Sequence, residues 1–148
     1  MIVGYTSGVY DMFHVGHRNL LRAARGLCDR LIVAVSTDEL VMEYKGKLPI
    51  VTFQERLEMV EESKYVDLAV PQVTLDKVEA WKRLNFDVMF HGDDWYGTDV
   101  YMECERQLKP VGVRFVYLPY TPRVSSTLRR AAVDGSEIAD HSGDEPEG

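Results

Sequence analysis

The stretch Ser7-Gly8-Val9-Tyr10-Asp11-Met12-Phe13-His14-Val15-Gly16-His17 decides how the rest of the chain is read. Before it stands Ile2-Val3-Gly4-Tyr5-Thr6, a short β-type run, and after it Leu20, Leu21, Ala24 and Leu27 recur at helical spacing. The pattern predicts a strand, a loop carrying two histidines, and a helix that opens at His17. Small residues at Ser7 and Gly8 let the backbone approach a ligand closely. A helix N-terminus beside His17 offers unpaired N–H groups and the positive end of a dipole, so this is a place for an anion. Leu31-Ile32-Val33-Ala34-Val35 follows, a continuous apolar run of the kind found in strands buried on both faces of a parallel sheet.

Outward from that core the alternation continues. Ser36-Thr37-Asp38-Glu39-Leu40 and Tyr44-Lys45-Gly46-Lys47-Leu48-Pro49 read as a loop, in which Lys45 and Lys47 around a glycine fit a phosphate clamp and a plain surface turn equally well. Thr52 and Glu55 form a capping box that opens a helix from Phe53 to Ser63, with Leu57, Met59 and Val60 turned inward. Tyr65 to Val70 reads as a third strand ended by Pro71, and Leu75 to Leu84 as a helix carrying Val78, Trp81 and Leu84. Phe86 to Phe90 is a fourth strand that delivers His91-Gly92-Asp93-Asp94-Trp95. Val100 to Leu108 is a helix closed by Lys109-Pro110, Val113 to Leu118 is a fifth strand, and a last helix begins near Ser125. The expected fold is therefore α/β, a single domain with an open five-stranded parallel sheet and helices on both faces. Its ligand crevice lies outside the carboxyl ends of the strands.

A chain of 148 residues is near the modal size of one domain. No segment approaches the ~20 apolar residues of a membrane span, and no early stretch reads as an export signal, so the expectation is a soluble, cytoplasmic protein. Cys28 and Cys104 lack metal-ligand spacing and read as reduced thiols. The net charge of −7 is concentrated in the segment 134–148, where Asp134, Glu137, Asp140, Asp144, Glu145 and Glu147 meet no Lys or Arg. The body, 1–133, is nearly neutral, which argues against a nucleic-acid surface, and the acidic tail is expected to be disordered.

Three polar clusters follow predicted strands and so share one edge of the sheet. The first, Ser7 to His17, has two imidazoles to donate to phosphate oxygens. The second, His91 to Trp95, offers carboxylates and carbonyls to the exocyclic amine of a base, and an indole to pack in its pocket. The third, Tyr120 to Thr127, supplies hydroxyls and backbone donors from Ser125, Ser126 and Thr127, with Arg123, Arg129 and Arg130 as cations.

His14-Val15-Gly16-His17 resembles the H-x-G-H signature of the nucleotidyltransferase superfamily, whose catalytic domain is Rossmann-like. The surrounding residues are similar to those of bacterial glycerol-3-phosphate cytidylyltransferases: Tyr5 to His17, Val35 to Glu39, Lys45-x-Lys47, Tyr65-Val66-Asp67 and Gly92-Asp93-Asp94-Trp95. The resemblance covers residues 1 to about 130. It implies that CTP, with Mg²⁺ and no dedicated protein metal site, meets a small phosphorylated alcohol whose phosphate attacks the α-phosphorus in line. It implies catalytic roles for His14, His17 and Lys45, and for Arg123 and Arg130 as candidates to replace the family arginine, because Tyr120 stands at that position. It implies nucleotide contacts from Ser7, Gly8, Val9, Tyr10, Lys47, Gly92, Asp93, Asp94, Trp95, Thr121, Val124, Ser125, Ser126 and Thr127. Asp11, Asp38, Lys64 and Asp67 match positions near the acceptor, Lys64 standing where the family has an arginine. The resemblance also implies a homodimer. Phosphocholine and phosphoethanolamine remain alternative acceptors, ATP an alternative nucleotide, and a nucleotide-binding module without activity an alternative role.

Overall fold

The computed structural model describes residues 1–92 and 96–119. Asp93, Asp94, Trp95, the expected helix near Ser125 and the acidic tail lie outside the described residues. Five parallel strands form one sheet in the order β3-β2-β1-β4-β5: β1 (Val3–Gly8), β2 (Arg30–Ser36), β3 (Leu68–Gln72), β4 (Val88–Gly92) and β5 (Arg114–Leu118). The helices are α1 (Val15–Arg25), α2 (Asp38–Lys45), α3 (Phe53–Glu61), α4 (Lys77–Leu84) and α5 (Asp99–Leu108), followed by a 3-10 turn at Lys109–Val111. The expected open five-stranded parallel sheet with helices on both faces is the fold observed.

Strand alternation divides the core. Leu31, Val33 and Val35 of β2 pack with Leu20, Leu21 and Ala24 of α1 and Val60 of α3 on one face. Ile32 and Ala34 pack with Ala80 of α4 and with Tyr101, Cys104 and Leu108 of α5 on the other. Tyr5 and Phe86 stack on this second face with ring centroids 4.4 Å apart. Cys28 and Cys104 are buried free thiols.

Four boundaries differ from the expectation. Helix α1 opens two residues early, at Val15, because His14 rather than His17 is its N-cap, and it ends at Arg25, leaving Leu27 exposed. The segment read as a loop after β2 contains α2, capped by Thr37 Oγ1 accepting from the Leu40 N–H at 3.1 Å and closed by Gly46 at φ 77°. Strand β3 starts later and runs through Pro71, which pairs in register with Val35. A proline fits there because β3 is an edge strand, where the absent N–H interrupts no second ladder. On α3, Thr52 caps as expected, but Met59 is exposed and Arg56, not singled out by the sequence reading, is fully buried.

Gly4, on the central strand, lies against Phe90 and Cys28; a Cβ there would stand 2.6 Å from Phe90 Cε2 and 2.8 Å from Cys28 Sγ. Gly4→Ala is expected to cost about 1–3 kcal/mol through overpacking. A urea unfolding midpoint unchanged by the substitution would contradict this.

Candidate functional site

The carboxyl ends of β1 and β4 lie at one edge, since the ladder sets Gly4 opposite Val88 and Tyr5 opposite Met89. That brings Ser7 and Gly8 to the same side of the sheet as Gly92. From Gly8 the chain enters a constrained loop. Tyr10 and Met12, neither a glycine, hold positive φ values of 57° and 52°, conformations that cost about 1–2 kcal/mol each and need surrounding contacts to persist. Tyr10 is buried against Phe13 and His17, with ring centroids 6.1 and 5.2 Å away. Asp11, between the two strained residues, accepts from the backbone N–H of Ile50 and of Val51, each at 2.9 Å.

The two histidines cap α1 reciprocally. Gly16 N–H donates to His14 Nδ1 at 3.0 Å, and His14 N–H donates to His17 Nδ1 at 3.1 Å. Their ring centroids are 4.0 Å apart. A backbone donor aimed at Nδ1 requires a lone pair there, so each neutral ring carries its proton on Nε2. The first turn of α1 holds no acidic residue to offset the dipole. Imidazole N–H donors beside a helix end whose first turn holds no acidic residue suit phosphate oxygens.

Beneath this loop lies the Arg56 guanidinium. Its Nε donates to Val51 O at 2.9 Å, one terminal nitrogen donates to Val9 O and Ser36 O at 2.8 Å each, and the other pairs with Asp38 at 2.6 Å. Asp38 also accepts from the Phe53 N–H at 3.3 Å. Asp11 and Asp38 thus stand at the crevice edge with their carboxylates engaged in holding its walls. Lys45 is the last residue of α2, its ammonium 6.0 Å from the Tyr44 ring centroid, and Lys47 is exposed just beyond Gly46.

Two expected substrate residues are not brought to that edge. Asp67 accepts from the Leu31 N–H at 2.8 Å and pairs with Arg25 at 2.8 Å, which places it at the amino end of β2. Lys64 lies past the end of α3, in a surface groove with Arg18, Arg22, Phe13 and Met59. Thr121, Arg123, Val124, Ser125, Ser126, Thr127 and Arg130 lie outside the described residues, as do Asp93, Asp94 and Trp95.

On the opposite face of the sheet the strand ends hold a buried polar chain that sequence reasoning missed. Lys77, 3% exposed, donates to Ser7 Oγ at 3.0 Å and to Gln72 Oε1 at 2.7 Å, and Gln72 Nε2 donates to Ser36 Oγ at 2.7 Å. Burial pulls the Lys77 ammonium down to about 8, against smaller opposing effects of Cys104 and Asp76. His91 is also buried, its ring centroid 5.0 Å from that of Tyr101. Burial, and then the charge of Lys77, pushes its imidazole down to about 3, so it is neutral in the fold.

Fold and site together define an α/β domain with a crevice at the carboxyl edge of its sheet whose donors suit an anion. Comparison with known proteins gives that class a family. The cytidylyltransferase-like family model matches residues 5–132, and the chain belongs to that family. It is 40% identical over 107 residues to the ethanolamine-phosphate cytidylyltransferase of Mus musculus, covering 69% of this chain and 26% of that one. It is 33% identical over 133 residues to the glycerol-3-phosphate cytidylyltransferase of Staphylococcus aureus, covering 89% and 95%. This chain thus spans about a quarter of the mouse enzyme and nearly all of the bacterial one. Among solved structures, a lipopolysaccharide core biosynthesis protein from Thermoplasma volcanium superimposes with a TM-score of 0.71 at 27% identity, covering 82% of this chain and 98% of that one. Among the described residues, no helix is long and apolar enough to cross a membrane.

Two measurements check this geometry. Arg56→Met leaves Asp38 and three carbonyls without their donor and is expected to lower the unfolding free energy by about 3 kcal/mol or more. His91 takes up its proton near pH 6.5 when unfolded but only near pH 3 when folded. Stability is therefore present above about pH 6.5 and is lost as pH falls through that window, by about 5 kcal/mol in full. Urea unfolding between about pH 7 and 4 should show a shallower loss for His91→Gln than for the unsubstituted protein; equal slopes would assign the acid sensitivity elsewhere.

Proposed function

We propose that this chain transfers CMP from CTP to the phosphate of a small phosphorylated alcohol, with glycerol 3-phosphate as the leading acceptor. The observation that carries the reading is the reciprocal His14 and His17 cap at the start of α1, with both Nε2 atoms protonated. An acceptor phosphate oxygen attacks the α-phosphorus, and the bond from that phosphorus to the bridging oxygen of pyrophosphate breaks. The bridging electrons leave with pyrophosphate. Charge grows on the leaving oxygen and on the non-bridging oxygens, and preorganised imidazole and backbone donors stabilise it without rearranging.

Bound together with the triphosphate, Mg²⁺ would supply neutralisation of part of its charge. The donor set at α1, N–H groups and neutral imidazoles, suits the phosphates rather than the cation, and among the described residues no group of three or more His, Cys, Asp or Glu side chains is placed to hold a metal ion. Lys45 and Lys47, at the end of α2, hold the outer phosphates. Ser7, Gly8, Val9 and Tyr10 line the near wall, and Gly92 leads into the base pocket with Asp93, Asp94 and Trp95. Arg123 or Arg130 supplies the cation missing at Tyr120.

The acceptor reading draws support from the near full-length likeness to the Staphylococcus aureus enzyme. ATP is the second nucleotide to examine, since the chain is also 34% identical over 116 residues to an FAD synthase of Thermococcus sibiricus, covering 78% of each. Pyrophosphate release is measured with Mg²⁺, CTP or ATP, and a panel of glycerol 3-phosphate, phosphoethanolamine and phosphocholine. Release with CTP and glycerol 3-phosphate above the other pairs is expected, and no release from CTP with any acceptor overturns the reading. His14→Ala and His17→Ala, each verified as folded by circular dichroism, should lower the rate by ~10²-fold or more. A loss under about threefold would mean that the pair only caps the helix.

A further inference from the structure

Lys77 is the least expected side chain in this fold. It opens α4 and is buried, and among the described residues no carboxylate forms an ion pair with it. Burying an ammonium opposite two neutral acceptors is unfavourable by itself, so packing does not explain the choice of lysine.

Its partners are all at the carboxyl ends of three adjacent strands. Nζ bonds Ser7 on β1 and Gln72 on β3, and Gln72 bonds Ser36 on β2. Gln72 O also accepts from the Thr37 N–H at 3.1 Å, and Thr37 is the cap of α2. Each of these ends leads into a wall of the crevice. Ser7 precedes the loop that carries His14, and Ser36 precedes Thr37, Asp38 and the helix that ends at Lys45. An ammonium at that junction fixes the departure of both segments through charge-assisted bonds, and in a low-dielectric interior its charge adds to the positive potential at the end of β1.

We propose that Lys77 is a positioning residue for the nucleotide phosphates, its buried ammonium holding Ser7, Gln72 and Ser36 so that the loop bearing His14 and the helix bearing Lys45 face one triphosphate. This rests on the CTP reading above and adds a residue from the far face of the sheet that touches neither nucleotide nor acceptor.

The test compares the unsubstituted protein with Lys77→Met, which keeps most of the unbranched side chain and removes its donors and charge. CTP binding is measured by calorimetry, and steady-state kinetics are run at varied CTP and at varied acceptor. Lys77→Met should weaken CTP binding and raise KM for CTP by about tenfold, the scale of one charge-assisted hydrogen bond. KM for the acceptor at saturating CTP should stay within about twofold. A merely structural role predicts the opposite split, with a smaller folded fraction lowering kcat while KM for CTP is unchanged, and that result overturns the proposal.

A second readout needs no variant. Lys77 faces His91 from β4, Cys104 from α5 and Asp76 from its own helix, with Tyr101 of α5 behind His91. His91 is already neutral well below this range, while burial holds the Cys104 thiol and Tyr101 hydroxyl above their usual values. CTP affinity should therefore fall as pH rises from about 7 to 9, through loss of the Lys77 proton. A flat profile overturns the proposal even if Lys77→Met does not fold. If the unsubstituted protein binds no CTP, the reading beneath fails and this one with it; if it binds CTP and Lys77→Met binds equally well, only the role of Lys77 fails.

Discussion

The guanidinium of Arg56 is where the loops of the carboxyl edge meet. Its donors reach Val9 after β1, Ser36 at the end of β2, Asp38 at the start of α2 and Val51 before α3. Each of these four points presents a carbonyl or carboxylate that needs a donor once water is excluded. A planar fork with several N–H groups in fixed directions meets this demand in a way that a lysine cannot. Asp11 adds a second clasp between the same loop and the Ile50-Val51 segment. The left-handed conformations at Tyr10 and Met12 persist between these two clasps, and the loop arrives at α1 with His14 already in the cap position.

The sheet separates two kinds of polar chemistry. On the α1 and α3 face, the two histidines at the start of α1 lie close to the crevice. On the α4 and α5 face, Lys77 and His91 are sealed in, and burial moves both toward neutrality. Ser7 lies at the junction, at the end of the central strand, accepting from Lys77 below and preceding the glycine of the crevice wall above. Local electrostatics at the edge are thus set from both layers of the fold.

Period and punctuation made the architecture legible in the sequence. Runs such as Leu31 to Val35 permit little but a buried strand, and Thr52 with Glu55 announced α3. The histidine pair was conspicuous in the sequence beside a helix start, whereas its reciprocal capping of α1 shows only in the fold. What escaped were cases in which tertiary context outweighs local preference. Pro71 read as a terminator, yet an edge strand tolerates it. Helix α2 is short and was hidden by its lysine and glycine punctuation, although Thr37, Asp38 and Gly46 are its start and stop signals. Arg56 shares a helical face with Phe53 and Val60, and Lys77 shares one with Ala80, Trp81 and Leu84. A charge within an apolar stripe was the available sign of burial, but only the fold shows the carbonyls and hydroxyls that receive it. Asp67 matched a motif position, but its place in the chain, before β3 rather than after it, puts it at the other end of the sheet.

The strand order also bears on how this molecule comes into being. The central strand β1 precedes the other four strands and joins β2 after a single short helix. Its other neighbour, β4, arrives late: the Val3 N–H is bonded by the Asp87 carboxylate, 84 residues further along the chain. The half of the sheet that carries the histidine helix and the Arg56 junction is local in sequence, whereas the Gly92 side closes only when a distant segment returns. Long-range parallel pairing is slow to form, so the edge of β1 that β4 takes stays open until that segment returns. During that interval the apolar positions of β1 lie open to other chains.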